Sequence, residues 1–283
     1  MSATVAAPLA RRRWPRLNWL GTIAAVAVLA CLLMAVIGPY VAPYPPGKIV
    51  SSDIFAGMSA KFPLGTDYLG RDMLSRILAG ARYTIGVALP ATVLASLAGS
   101  MFGMLAASRG GATDAVLSRS MDTLISFPSI IFSLVVVAAL GSSIPVLILT
   151  AAVIYTPGCY RLVRAIAVDI NATDFVKAAR ARGERSLAIM LGEILPNMVA
   201  PIMTDFGLRF VFIVLLLSSL SFLGLGIQPP YSDWGGLVRE NIEGLSAGAV
   251  AVIAPAVAIA ILTVATNLLI DNLPGRRIAN DVR

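Results

Sequence analysis

Residues 173–196, TDFVKAARARGERSLAIMLGEILP, form a polar interval between two long apolar runs, and this interval decides how the chain is organised. Thr173 is predicted to cap a short helix that has Asp174 in its first turn, Arg182 in its last turn and Gly183 at its end. Beyond Gly183 the apolar residues keep helical i, i+3, i+4 spacing as far as Pro196, which predicts a second helix with one apolar face. These residues are Leu187, Met190, Leu191, Ile194 and Leu195. The first helix combines small residues with bases and is suited to docking against another protein.

The composition indicates an all-α integral membrane protein. Of 283 residues, 58% are hydrophobic and 13% are charged, and the mean hydropathy is +0.85. Soluble domains carry about 25% charged residues. The formal charge of +7 does not predict nucleic-acid binding, because the 22 Lys and Arg residues flank apolar runs. Such a distribution is typical of orientation by positive cytoplasmic loops.

The residue types exclude the common catalytic chemistries. The chain has no histidine, and Cys31 and Cys159 fall in different apolar runs without metal-ligand neighbours. We therefore expect no catalytic residue, no metal site and no disulfide. No Gly-x-x-x-x-Gly-Lys-Ser/Thr pattern occurs either. If ATP drives the function, another polypeptide binds it.

Hydropathy predicts six transmembrane helices. They cover residues 17–38, 84–107, 116–140, 146–162, 198–222 and 249–269, and the last five form a core over 83–272. Residues 1–16 carry four arginines, but the run that follows is too long for a signal peptide and lacks a convincing cleavage site. The N-terminal tail and the tail at 273–283 are both predicted in the cytoplasm, with residues 39–82 outside.

Three local patterns predict helix packing and shape. Within 72–82, Asp72 caps a predicted amphipathic helix that lies on the outer membrane surface or helps to receive a partner. Ala95, Gly99, Gly103 and Ala107 recur every four residues and predict close helix packing. Prolines predict a kink near Pro128 and an interruption at Pro157.

Two further groups have both a structural and a functional interpretation. Asp205 and Arg209 are an i, i+4 pair of opposite charge inside the fifth span. The pair either holds that span to its neighbours or lines a polar path. Tyr231 and Trp234 either anchor an outer loop in the membrane interface or contact a partner there.

Four segments together resemble a known family. They are PLGTDYLGRDMLSRILAGAR at 63–82, FVKAARARG at 175–183, ILPN at 194–197 and SFLGLGIQPPYSDWG at 221–235. The second resembles the "EAA" coupling motif of permease subunits of ABC importers, and the set resembles the C-type permease of dipeptide, oligopeptide and nickel importers. Lys177 stands where the motif has glutamate, so a docking role for that carboxylate is not implied.

The resemblance implies the type I ABC importer permease fold in a bacterial inner membrane. It implies a heterodimer with a homologous permease, two cytoplasmic ATPase subunits that bind ATP and Mg, and an extracytoplasmic binding protein. The implied ATPase-docking helix comprises Asp174, Phe175, Val176, Lys177, Ala178, Ala179, Arg180, Ala181, Arg182 and Gly183. The implied outer contacts for the binding protein or a gate are Asp67, Arg71, Asp72, Tyr231 and Trp234.

Peptide import is the expected function, with nickel or another small polar solute as the alternative substrate. A self-sufficient secondary transporter is the alternative of another class, and it would need more charged sites within the spans than Asp205 and Arg209 provide. A helix-turn-helix regulator is excluded, because residues 173–196 are enclosed by spans.

Overall fold

The computed structural model describes residues 18–246 and 250–272, and their regular structure is helical apart from isolated bridges of Ile49 with Arg71 and Thr66 with Asp72. The helices of the described residues are α1 (Trp19–Val41), α2 (Met73–Arg109), α3 (Gly111–Ser126), α4 (Ser129–Leu140), α5 (Ile144–Asn171), α6 (Asp174–Ala181), α7 (Ser186–Ile189), α8 (Leu195–Phe222), α9 (Trp234–Glu240) and α10 (Val250–Asp271). A π-turn (Met190–Ile194) joins α7 to α8, and a 3₁₀ turn (Ile242–Leu245) follows α9. The all-α prediction is confirmed.

Five continuous helical stretches of the described chain are long and apolar enough to cross a bilayer. They are Trp19–Val41, Met73–Arg109, Ile144–Asn171, Ser186–Phe222 and Val250–Asp271. Helices α3 and α4 reach the same apolarity only as a pair, and they are bent by 86°. With this pair counted as one broken span, all six predicted spans are accounted for. The predicted kink is a sharp turn, because Phe127, which precedes a proline, adopts extended backbone angles.

The segment 72–82 differs from the prediction of a separate surface helix. Asp72 caps as expected, since its carboxylate accepts a hydrogen bond from the Ser75 amide at 2.8 Å. The helix then continues to Arg109, and its first turns bury Met73, Arg76 and Ile77 against protein. The predicted boundary at residue 82 is therefore wrong. A helix of 37 residues is about 55 Å long and exceeds the bilayer core of about 30 Å, so one end projects beyond the hydrocarbon.

Prolines interrupt the helices less than the sequence indicated. Helix α1 continues through Pro39 to Val41, although the predicted span ends at residue 38. Helix α5 continues through Pro157, which has no amide hydrogen to donate to the Val153 carbonyl. Proline is tolerated within membrane helices, where local adjustments and neighbouring groups satisfy the released backbone.

The predicted stripe of small residues forms the seam between α2 and α5. A Cβ atom on Gly99 would lie 2.6 Å from Cβ of Cys159 and 2.9 Å from the Thr156 carbonyl oxygen. On Gly103 it would lie 2.9 Å from the Arg164 amide nitrogen. The two backbones touch at these glycines, which confirms the packing role.

Gly103→Val is expected to destabilise the folded chain by about 1–3 kcal/mol or more, because the new side chain has to push α5 away. Gly86→Val is the matched control in the same helix, since nothing lies within 4 Å of a Cβ atom there. A thiol-reactive dye that reports exposure of the buried Cys31 and Cys159 would follow thermal unfolding in detergent. Equal unfolding temperatures for both variants would contradict the seam.

Candidate functional site

Helix α6 is a short, well-terminated helix, as predicted from Gly183. Gly183 has φ +81°, its amide donates to the Arg180 carbonyl at 2.9 Å, and the Glu184 amide donates to the Ala179 carbonyl at 3.2 Å. This pair of bonds is the Schellman motif, which favours glycine at the left-handed position. Thr173 occupies the N-cap position, but its hydroxyl donates backwards to the Ile170 carbonyl at 2.6 Å. The predicted side-chain cap is therefore wrong.

The chain's own core holds one face of α6. Val176 and Ala179 are fully buried in an apolar cluster. The other buried members of this cluster are Met104, Cys159, Val163, Ala167, Ile189, Met190, Ile194, Met198 and Ile202. Of the two alanines in the motif, only Ala178 faces outward. The expectation that both alanines present a docking surface is corrected here, because Ala179 serves to seat the helix.

The outward face of α6 is a mixed apolar and charged surface. Phe175 is 43% exposed, and Ala178, Ala181 and Arg182 are also exposed. Lys177 lies 3.2 Å from Asp174 in an exposed ion pair, so it neutralises the acid of the first turn. Arg180 donates to the Asn171 side chain at 2.8 Å, back towards α5. We call this outward face the coupling surface, and the end of the bundle that carries it the coupling end.

The second predicted helix of the segment does not stop at Pro196. The chain is helical from Ser186 to Phe222, and the π-turn precedes the proline, which lacks an amide hydrogen. The extra residue in that turn shifts the phase of the apolar face. Met190 and Ile194 are buried as predicted, whereas Leu187 and Leu191 are 64% and 53% exposed.

Ion pairs that sequence reasoning did not find join α3 to α5 at the coupling end. Arg164 binds both carboxylate oxygens of Asp114 at 2.5 Å, and Arg161 lies 2.6 Å from Asp122. The Tyr160 and Ser118 hydroxyls are 2.7 Å apart. The residues are distant in sequence, so no periodic signal connects them. They fix the start of the broken span to the helix that leads into the coupling surface.

The predicted pair of Asp205 and Arg209 is formed. Nε and Nη2 of Arg209 each lie 3.0 Å from a carboxylate oxygen of Asp205, near the middle of α8. The guanidinium lies against Gly158 of α5, where a Cβ atom would overlap Nη1. Arg209 also lines a cavity of about 340 Å³ at the break between α3 and α4. We call it the break cavity.

At the opposite end, four charged groups form a network that joins the two outer family segments. Arg71 and Arg76 donate to the same oxygen of Asp67, at 2.5 and 2.6 Å. Both also contact Oε2 of Glu240, at 3.1 and 2.7 Å. Ser232 donates to the other oxygen of Glu240 at 2.6 Å. Asp67 and Arg76 are almost completely buried, so this network is part of the fold.

Most of the predicted outer contacts are internal in this chain. Asp67, Asp72 and Trp234 are buried, and Trp234 donates from its indole nitrogen to the Ile77 carbonyl at 3.0 Å. The prediction that Trp234 anchors the loop in the membrane interface is therefore wrong. The three buried side chains are also not available to contact a partner protein. Tyr231 is 53% exposed and lies 5.0 Å from Tyr83 between ring centroids. Sequence reasoning missed Arg76, Ser232 and Glu240, although Arg76 and Ser232 lie inside the quoted segments.

The described residues form five continuous apolar spans and one broken span, with a short helix seated at one end, and comparison with known proteins places this architecture among transport permeases. Residues 99–278 match the family model described as the inner membrane component of binding-protein-dependent transport systems. The chain belongs to this family, whose fold is the type I ABC importer permease fold.

The chain also resembles curated relatives over most of its length. It is 34% identical over 251 residues to a putative peptide transport system permease of Brucella suis, with 89% of this chain and 84% of the relative covered. It is 32% identical over 259 residues to a di/tripeptide transport system permease of Pseudomonas aeruginosa, with 89% and 84% covered. It is 34% identical over 251 residues to a glutathione transport system permease of Escherichia coli, with 88% and 83% covered.

Arg76→Met is expected to destabilise the protein by about 3–5 kcal/mol, because it leaves the buried carboxylate of Asp67 and the partly buried carboxylate of Glu240 with one cation fewer. Arg82→Met is the matched control, since Arg82 is exposed on the same helix. Thermal unfolding in detergent measures both. If Arg76→Met lowers the unfolding temperature no more than Arg82→Met does, the network does not stabilise the fold.

Asp233 predicts a pH dependence of stability. It is buried at the start of α9, and this burial raises its pKa from 3.8 to about 6. The folded chain therefore holds this proton more tightly than the unfolded chain, so the free energy of unfolding falls as pH rises from 3.8 to about 6 and then levels off. In the Asp233→Asn variant the side chain stays neutral, so this decrease in the free energy of unfolding is expected to be absent. Parallel stability curves for the variant and the wild type across that range would contradict it.

Proposed function

We propose that this chain forms half of the translocation pathway of an ATP-driven importer for peptides delivered by an extracytoplasmic binding protein. The family assignment supports import with a binding protein, and the relatives named above are designated as transporters of peptides, di/tripeptides and glutathione. These substrates share peptide bonds and free carboxylates. The single observation that carries the proposal is the coupling surface, which is exposed on one side and seated in the chain's own core on the other.

Two ATPase subunits bind ATP and Mg in this proposal, one of them on the coupling surface, and this chain hydrolyses nothing. The absence of a Walker A pattern from the sequence supports that division. A short helix that exposes Phe175 beside Ala178 offers an aromatic anchor with room for a partner to approach. The tight seating of Val176 and Ala179 supports transmission of a force from α6 into α5.

A second, homologous permease completes the pathway. The break between α3 and α4 supports this, because Phe127 and Pro128 are exposed there although the backbone is not helical. Such backbone does not face lipid at membrane depth, where its polar groups would stay unsatisfied. A partner permease and an aqueous path between the two halves would satisfy it.

The coupling end lies in the cytoplasm in this proposal, together with both termini. In the described chain this end has eight bases and the opposite end has six. The eight are Arg109, Arg119, Arg161, Arg164, Lys177, Arg180, Arg182 and Arg185, and the six are Lys48, Lys61, Arg71, Arg76, Arg82 and Arg239. The concentration of bases supports a cytoplasmic position by the positive-inside rule. The predicted tails at 1–16 and 273–283 fall outside the described residues.

Purification of the tagged chain from its native membrane in a mild detergent tests the assembly. We expect a second permease, ATPase subunits and vanadate-sensitive ATP hydrolysis in the eluate. Uptake of labelled dipeptide into intact cells, lost on deletion of this chain and restored by its return, tests the substrate class. A homo-oligomer without ATPase activity would overturn the proposal.

Ala178→Arg is expected to reduce co-purification of the ATPase about tenfold or more, because a long cation is placed in the docking surface, while thermal stability stays unchanged. Ala179→Arg should lower thermal stability instead, since Ala179 is buried. Ala60→Arg, exposed at the other end, is the control for the substitution itself. Normal ATPase recovery with Ala178→Arg would exclude this surface as the docking site.

A further inference from the structure

The break cavity lies at the one place where a span of the described chain loses its helical backbone. Helices α3 and α4 meet there at 86°, and Phe127 is 54% exposed. Irregular backbone at membrane depth occurs where it is buried in protein or borders a water-filled cavity. In the assembly proposed above, the exposed break faces the second permease and the aqueous path between the two halves. The cavity beside the break then borders that path.

The walls of the break cavity are mostly apolar. Phe127 and Pro128 come from the break, Phe132 comes from α4, and Tyr155 and Gly158 come from α5. Among the described residues that line it, Arg209 carries the only charge. Asp205, the partner of Arg209, is 9% exposed and is not part of the lining. The cavity thus presents the cationic half of the pair, although the pair as a whole is neutral.

Arg209 keeps hydrogen-bond donors for a second anion. A guanidinium has five donors in a planar fork. Asp205 takes one from Nε and one from Nη2, which fixes the plane of the group. Nη1 lies over Gly158, where any side chain would overlap it. Because Gly158 has no side chain, the guanidinium can lie against it, and the bonds to Asp205 leave two donors on Nη1 and one on Nη2. A pair of donors from Nη1 and Nη2 can bind a carboxylate in a bidentate manner.

We propose that the break cavity is a transient subsite for the C-terminal carboxylate of a peptide in transit, with Arg209 as the binding residue. The aromatic walls contact the adjacent apolar side chain of the peptide. This inference rests on the proposed peptide import. A site for the peptide's amino group is disfavoured, because no carboxylate lines the cavity among the described residues. The negative charge of Asp205 reduces the affinity of Arg209 for an anion. A transit site requires such moderate affinity, because the solute must also leave.

Charge-selective labelling tests the cavity without its transported substrate. Ser129, which lines it, becomes the reporter as Ser129→Cys, with Cys31→Ala and Cys159→Ala in the same chain. In native membranes, a methanethiosulfonate with a carboxylate should label this cysteine faster than one of similar size with an ammonium group. Asp205→Asn with Arg209→Gln should reduce this ratio about tenfold. Ser52→Cys, exposed in the loop at 42–72, should give the same ratio in both backgrounds.

Uptake of Ala-Phe and of Ala-Phe amide tests the subsite in transport. The binding protein is the same in every strain, so its own preference cancels when the acid-to-amide uptake ratio is compared between variants. Asp205→Asn with Arg209→Gln is expected to lower that ratio about tenfold. The matched control is Asp114→Asn with Arg164→Gln, which removes another bidentate pair away from the cavity and should keep the ratio.

The outcomes separate this inference from the proposed function. An unchanged acid-to-amide ratio in the Asp205/Arg209 variant would overturn the subsite. An equal labelling ratio of the two reagents at Ser129→Cys with and without the Asp205→Asn and Arg209→Gln substitutions would overturn it as well. If wild-type cells take up neither peptide, peptide import fails, while the labelling ratio still decides whether Arg209 favours a carboxylate. If the double variant does not accumulate, Gly158→Val displaces the guanidinium instead, and the same fall in both ratios is expected.

Discussion

Backbone contact between α2 and α5 is the constraint on which the rest of the structure depends. In a bilayer, helices gain little from burying apolar surface, so close packing has to bring them together. At Gly99 and Gly103 the missing side chains let α5 approach to van der Waals distance. One face of α5 is thereby fixed against α2, and the C-terminal half of α5 supplies Val163 and Ala167 to the cluster that seats α6. The position of the coupling surface follows from two glycines on another helix.

Helix α2 also connects the two ends of the molecule. Near its start, Arg76 belongs to the buried charge network, and Ile77 accepts the hydrogen bond of Trp234. Near its end, Met104 belongs to the cluster around α6. No proline break divides these points into separate helices, since α2 is continuous through Pro90. Under the proposed docking, a displacement of α6 would be passed to α5 and α2 as to one body, and the α3–α4 break would take up the change.

The sequence correctly predicts features that depend on residues close together along the chain. Gly183 ends α6 because a left-handed residue is needed there, and the small-residue stripe packs because it repeats on one face. Failures occurred where tertiary contacts decide. The apolar face at 72–82 predicts a helix on the outer membrane surface or against a partner, but Trp234, from a distant part of the same chain, packs against this helix at Ile77 and Thr84. Ala178 and Ala179 are chemically identical, so the sequence does not distinguish them. Only the packing of α6 determines that Ala179 is buried and Ala178 is exposed.

The pair of Asp205 and Arg209 shows why a structural and a pathway role need not exclude each other. An unpaired arginine at the bilayer centre costs about 2.5–3.5 kcal/mol on insertion scales. Asp205 offsets that cost and holds the guanidinium in one plane. The absent side chain of Gly158 leaves room for the guanidinium, and Arg209 is the charged residue among the described residues that line the break cavity. Because the two bonds to Asp205 use only part of the fork, the arrangement that makes Arg209 tolerable in the membrane also leaves it able to meet an anion there.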